Sequence, residues 1–333
     1  MTPSRVVLFP AVLVLAVACG RAAATADVAP HRGAAATTAS ALPVIDSARL
    51  VGDLFRLAHD SMGGRGVGTP ENAKARAWLA AEFRRLGLAP VGGAYTHDFV
   101  RPPRRGATDS LRGVNVLGVV RGRTSPERVL VVSAHYDHVG TRNGVVFNGA
   151  DDNASGTAAV LAMAAWFQAH PPAHSILFAL WDAEEVGLQG ARAFVAAPPV
   201  PLVAGVPRAT IAANVNLDMV SRNDRGELYA AGATPYPQMR PVLEGLVPDA
   251  PVTLKLGHDS GGGQDDWTNQ SDQGAFHAVG IPFVYFGVED HPDYHRATDD
   301  PERIQPGFYV RAVRTIAAFV ARLDVAVGAW PAR

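Results

Sequence analysis

The amino-acid sequence predicts an α/β protein: a mixed, mostly parallel central sheet sandwiched by helices on both faces and folded as a single domain. Apolar runs at 114–120, 129–133, 175–181, 211–217 and 282–286 are mostly continuous, not alternating, as expected of strands covered on both faces. Segments with helical spacing lie among them, which is the pattern of layered α/β folds. The 333 residues admit two domains, but one α/β domain of about 300 residues accounts for them. A hydrophobic content of 48% with 18% charged residues suits a globular chain with a substantial core.

Near the N-terminus Arg5 precedes an apolar run over 6–18, followed by Cys19. The run is too short to span a bilayer and suits the hydrophobic region of an export signal. Residues 16–19, Ala-Val-Ala-Cys, resemble a bacterial lipobox with Ala16 where Leu is usual, and Cys19 is the sole cysteine. Residues 1–19 are therefore expected to form a signal peptide whose Cys19 carries a lipid anchor. The alternative is plain cleavage after Ala18 or among the small residues that follow. On either reading the mature protein leaves the cytoplasm, with no disulfide to support it. Residues 20–42, rich in Ala, Thr, Gly and Pro, read as a flexible tether, which leaves 43–327 as the globular domain.

Within that domain Leu50, Leu54, Phe55 and Leu57 mark an opening helix. A second, over 71–86, carries Trp78, Leu79, Phe83 and Leu86 on one face and stops at Gly87. A turn-rich loop over 63–70 separates them. The strands 114–120 and 129–133 are joined by a link too short for a helical crossover, so an antiparallel hairpin is expected there and the sheet is mixed. Helices are expected at 155–167, 190–195, 238–246 and 305–323. The stretch 223–270, with weak strands and many Gly, Asp and Pro, reads as an insertion or long loops near a site. A net charge of −1 gives no electrostatic reason to expect nucleic acid, and nothing in the sequence specifies an oligomeric state.

Chemistry concentrates at the strand ends. Ser-Ala-His-Tyr-Asp at 133–137 puts His135 at the end of an apolar strand, where Asp137 can accept its second ring N–H and fix the tautomer. Alone, a His-x-Asp is more often a loop histidine near a surface acid. Gly-Ala-Asp-Asp-Asn-Ala-Ser-Gly at 149–156 crowds small residues around two acids before a helix. Either Asp151 or Asp152 there could bridge two cations, or could simply cap the helix. Glu184 and Glu185 follow the strand 176–181. Adjacent residues diverge, so one can hold a cation while the other faces substrate as a proton shuttle. Asp218 closes the run 211–217, where an acid is costly to bury unless paired with a cation or an arginine. His295 lies after the strand ending at Phe286, among His291, Asp293, Tyr294, Asp299 and Asp300. Imidazole and carboxylate are the donors that suit zinc. Two cations about 4 Å apart can share one carboxylate and stabilise both the attacking and leaving oxygens of a displacement.

These segments, in this order, resemble the co-catalytic zinc aminopeptidase family. Its members include secreted bacterial leucine aminopeptidases and glutamate carboxypeptidase, with glutaminyl cyclase as a relative. The resemblance runs from about Arg112 to Asp299, with weaker similarity in the preceding helix and the loop at Arg65. It implies two Zn²⁺ per chain bridged by Asp152, with His135 and Asp218 completing one site and Glu185 and His295 the other. It further implies a cis peptide after Asp152, Glu184 as general base, Tyr294 as an oxyanion donor and Asp137 as the partner of His135. Ser271, Asp272 and Gln273 match a Ser-Asp-His segment of the substrate pocket with Gln in place of His. The expected protein is thus an exported zinc exopeptidase, an aminopeptidase with peptide substrates, whose catalytic domain spans 43–327. The rivals are a carboxypeptidase using Arg222, Arg240 or Arg296, a glutaminyl cyclase, and a non-catalytic binding ectodomain.

Overall fold

The computed structural model describes Met1 and residues 42–103, 109–261 and 265–331. The expected signal peptide after Met1, with Cys19, and all of the tether but residue 42 lie outside the described residues.

Two helices open the fold, α1 (Ser47–Leu57) and α2 (Pro70–Arg85). Both starts are capped as their sequences dictate: Asp46 accepts the N–H of Arg49, and Thr69 that of Asn72, with Pro70 in the first turn. There follow β1 (Thr96–Arg101), β2 (Leu111–Val120), β3 (Ser125–His135) and a small hairpin, β4 (Gly140–Arg142) with β5 (Val145–Phe147). Next come α3 (Gly156–Ala169), β6 (His174–Trp181), α4 (Gln189–Ala196) and β7 (Thr210–Asp218). The last third holds β8 (Glu227–Ala231), α5 (Arg240–Leu246), β9 (Thr253–Leu256), α6 (Gln273–Ala278), β10 (Phe283–Gly287) and α7 (Pro306–Val327).

Eight strands form one sheet in the order β1-β2-β6-β3-β7-β10-β8-β9. The centre, β6-β3-β7-β10, is parallel, while β1-β2, β2-β6 and β10-β8 are antiparallel. Leu130, Val132, Phe178, Leu180 and Val215 face the core shared with α1, α2, α3, α5 and α7. Alternate residues Val129, Val131, Leu177 and Trp181 face Phe194 of α4 and Phe276 of α6. Burial on both faces explains the unbroken apolar runs.

One expectation is corrected. The strands around 114–120 and 129–133 run antiparallel but form no hairpin, because β6 inserts between them and pairs with both. The link 121–124 steps across that intervening strand, a span of about 9.5 Å, and the fully buried β6 gains two neighbours that a hairpin would deny it. The stretch 223–270 is also more ordered than its sequence suggests, since β8 and β9 extend the main sheet at one edge. Edge strand β1 is unreadable in sequence because only Phe99 of it is buried.

Phe178, fully buried on β6, tests this inserted strand. Phe178→Ala is expected to destabilise the fold by about 3–5 kcal/mol through lost apolar burial and a residual cavity, read as a lowered denaturant midpoint with an unchanged slope.

Candidate active site

The carboxyl ends of β3, β6 and β7 lie side by side: His135 is in register with Trp181, and Gly287 of β10 with Asp218. Successive crossovers lead to opposite sides of β3, which opens a crevice at this edge. Into it turn His135 and Asp218 directly, Glu184 and Glu185 from the loop after β6, Asp152 from the loop before α3, and His295 from the loop after β10. They line a cleft of about 380 Å³ with Trp267, Asn269, Asp290 and Tyr294.

His135 Nε2 lies 3.3 Å from both Asp152 Oδ1 and Asp218 Oδ1. His295 Nε2 lies 3.1 Å from Asp152 Oδ2 and 3.2 Å from Glu185 Oε2. For bonds of about 2.0–2.1 Å, two donors on one tetrahedral zinc are separated by roughly 3.3 Å, so these spacings fit a shared cation on each side of Asp152. The donor set of imidazoles and carboxylates fits zinc as well.

Asp151, the rival acid, is occupied elsewhere: its Oδ1 accepts both the N–H and the hydroxyl of Ser221 at 2.7 Å. The peptide after Asp152 is cis, as the resemblance implies. Gly149 is required beside it, with φ +56° and no room for a Cβ, which would lie 2.2 Å from Asp152 O and 2.4 Å from the His138 ring. Ala183, Met219 and His295 also take left-handed backbone at φ +61°, +59° and +54°. Such outliers gather where the surroundings over-determine the chain.

Asp137 supports His135 differently from expectation. The ring Nδ1 meets the Asp137 backbone carbonyl at 3.1 Å, whereas the carboxylate stands 3.8 Å away and accepts the Glu184 N–H at 3.0 Å. One residue thereby orients His135 and positions the loop that carries the glutamates. The tautomer is unchanged, since Nδ1–H donates and Nε2 is left to ligate.

The two adjacent glutamates have opposite electrostatics. Burial, with the charges of Asp272, Asp218 and Asp137, pushes Glu184 well above the usual carboxylate range despite His135. Burial and Asp152 push Glu185 up too, but contacts with His138 and His295 outweigh them and hold it at about 2. Burial beside Asp152 and Asp218 keeps the Tyr294 phenol protonated, and its ring stacks on His295 with centroids 4.0 Å apart.

Four contributors were given no role from sequence. Arg65, fully buried, donates to the carbonyls of Leu57, Tyr136, Asn148 and Gly149 at 2.7–2.9 Å. Burial lowers it to about 10, while Asp152, Asp137 and Asp299 oppose that shift. Asp299 accepts the N–H groups of Asp151 and Asp152 at 3.1 Å and locks their loop to the His295 loop. Burial, with the Asp218 charge adding to it, lifts Asp272 to about 7, and neither carboxylate oxygen has a hydrogen-bond partner among the described residues. His138 approaches Glu185 Oε1 at 2.7 Å. Its place three residues after His135 was the one sequence signal for it. Of the arginines considered for carboxylate binding, Arg222 is paired with Asp293 at 2.7 Å and Arg240 lies 3.6 Å from Glu244. Neither they nor Arg296 line the cleft, where Arg192 stands instead.

Imidazoles and carboxylates converging at the carboxyl edge of a parallel sheet define the class of metal-dependent α/β hydrolases. Residues 115–320 match Peptidase family M28, and the chain belongs to that family. A probable zinc metalloprotease of Leptosphaeria maculans is 36% identical over 125 residues, covering 35% of this chain and 28% of the relative. The chain spans 20–28% of the length of the curated relatives it matches first. Among solved structures, a zinc aminopeptidase from Bacillus subtilis superposes with a TM-score of 0.67 at 18% identity, covering 83% of this chain and 95% of that one. A Bacteroides thetaiotaomicron glutaminyl cyclase superposes with a TM-score of 0.67 at 18% identity, covering 84% and 99%. At that identity the likeness is one of fold.

Arg65→Met is expected to leave four carbonyls and the surrounding acids uncompensated, costing about 3–5 kcal/mol. A fall in thermal midpoint together with weaker zinc retention checks this.

Proposed function

We propose that the chain is a zinc-dependent exopeptidase, acting as an aminopeptidase on peptides, with two zinc ions held on either side of Asp152. The observation that carries this reading is the divergence of two neighbouring acids. Glu185 is held anionic with its Oε2 3.2 Å from His295 Nε2, as a ligand must be, while Glu184 lines the cleft beside it and is raised well above the usual carboxylate range by burial among other acids, as suits a proton carrier. His135 and Asp218 would hold one ion, and Glu185 and His295 the other. Bound zinc supplies polarisation of the scissile carbonyl and acidifies water.

The chain's own residues account for the proton traffic. Glu184 accepts a proton from the attacking water as the C–O bond forms, then passes it to the amide nitrogen as the C–N bond breaks. Tyr294, protonated and lining the cleft, donates to the oxyanion. Asp290 adds a carboxylate at the rim not used in the ligand set, so a free ammonium end is favoured over a C-terminal carboxylate. The domain boundaries 43–327 and the export of the chain with a lipid anchor at Cys19 belong to the same reading. Among the described residues no helix is long and apolar enough to cross a membrane.

Glu184→Gln is expected to lower kcat by about two to four powers of ten, toward the upper end because it serves as both base and acid, with zinc content unchanged. Glu185→Ala is expected to lose zinc as well. Elemental analysis beside the kinetics decides it: a Glu184→Gln variant that keeps most activity or loses an equivalent of zinc exchanges or removes these roles.

Chelation should abolish turnover of aminoacyl substrates, and zinc should restore it. A panel that includes N-acyl-glutamate and N-terminal glutaminyl peptides separates the rivals. Turnover confined to the former indicates a carboxypeptidase, cyclisation of the latter a cyclase, and no turnover at all a binding module.

A further inference from the structure

The family resemblance leaves one histidine of the cluster without a role. His138 is 2% exposed, and among the described residues neither of its ring nitrogens has a hydrogen-bond partner. Its Nδ1 lies 2.7 Å from Glu185 Oε1 and 3.6 Å from Asp152 Oδ2. The separation of Nδ1 from Glu185 Oε1 is that of a hydrogen bond, yet neither atom has a hydrogen-bond partner among the described residues. Two donors this close that form no hydrogen bond can instead share a cation. The donor atoms of His138, Asp152 and Glu185 all lie within 4.8 Å of one another, as do those of His135, Asp152 and Asp218. Gly149 provides the space, because any Cβ there would strike the His138 ring.

Building on the two-zinc reading above, we propose that His138 is a further metal ligand, binding through Nδ1 to the ion shared by Asp152, Glu185 and His295. The two halves of the centre are then unequal. One is enclosed by four residues, His138, Asp152, Glu185 and His295. The other has three, His135, Asp152 and Asp218. Closed four-residue zinc sites serve to retain the ion, whereas three-residue sites keep a position for water or substrate. The His135 side therefore receives the exchangeable ligand, and the His138 side anchors the pair.

The alternative role for His138 is to steady Glu185 as a hydrogen-bond donor without touching the ion. His138→Asn separates the two, since the amide N–H stands near the place of Nδ1 and can still donate to Glu185, but does not replace imidazole as a ligand. Loss of a group that only orients a ligand weakens metal binding about 10–100-fold. Loss of a ligand is expected to exceed that, and competition with a zinc chelator should show one of two equivalents weakened more than 100-fold in His138→Asn and His138→Ala. Near-UV circular dichroism of each metal-free variant, compared with metal-free wild type, monitors folding.

A measurement on the unaltered chain needs no variant. With two equivalents of cobalt(II), the proton NMR spectrum should contain three solvent-exchangeable, paramagnetically shifted imidazole N–H signals, from His135, His138 and His295. Two such signals, or a His138→Asn chain that holds both ions at wild-type affinity, overturn the assignment of His138 and leave the two-zinc reading standing. Wild type that binds fewer than two ions overturns the two-zinc reading itself.

Discussion

Charge burial is the constraint on which this structure turns. Asp137, Asp152, Asp218, Asp272 and Asp299 are all buried beneath the carboxyl edge of the sheet, and an ionised carboxylate removed from water costs several kcal/mol unless it is compensated. Part of the compensation is backbone: the N–H groups of Asp151 and Asp152 serve Asp299, and that of Glu184 serves Asp137. Part is Arg65, whose guanidinium holds four carbonyls around the loops that carry His135 and Asp152. The remainder falls to imidazoles and to the cations that the donor spacing fits. Asp272, with neither oxygen hydrogen-bonded among the described residues, responds by shifting toward the neutral form.

The same constraint explains why Glu184 and Glu185 behave differently although they are neighbours in the chain. Ala183 in left-handed backbone turns the segment out of β6, so the two side chains leave in different directions. Glu185 enters a space shared with His138 and His295, whereas Glu184 faces other carboxylates across the cleft. In the proposed mechanism it is environment, not residue type, that separates the ligand from the proton carrier.

The parallel centre of the sheet was legible because strands covered on both faces cannot carry polar alternation. The runs at 129–133, 175–181, 211–217 and 282–286 all became strands, with ends shifted by at most one residue except in β3, which starts four residues earlier and ends two later. The neighbour of β2 was not legible. Sequence adjacency favours a hairpin, and only the gain from burying β6 on both sides places that strand between β2 and β3. The edge strands β1 and β9, and β8 beside β9, are short or half-exposed, so local pattern carries little trace of them.

By itself the sequence determined the layered α/β architecture, the family, and the candidate acids and histidines, because a donor at the end of an apolar strand is visible as a polar residue where burial is expected. Tertiary structure alone decided how they are used. It turned Asp152 to the histidines and spent Asp151 on Ser221. It gave His135 a carbonyl partner in place of the Asp137 carboxylate, and it brought Arg65 and His138 into the cluster from loops with no distinguishing pattern. Contacts between residues far apart in the chain depend on strand order and register, which local sequence does not encode.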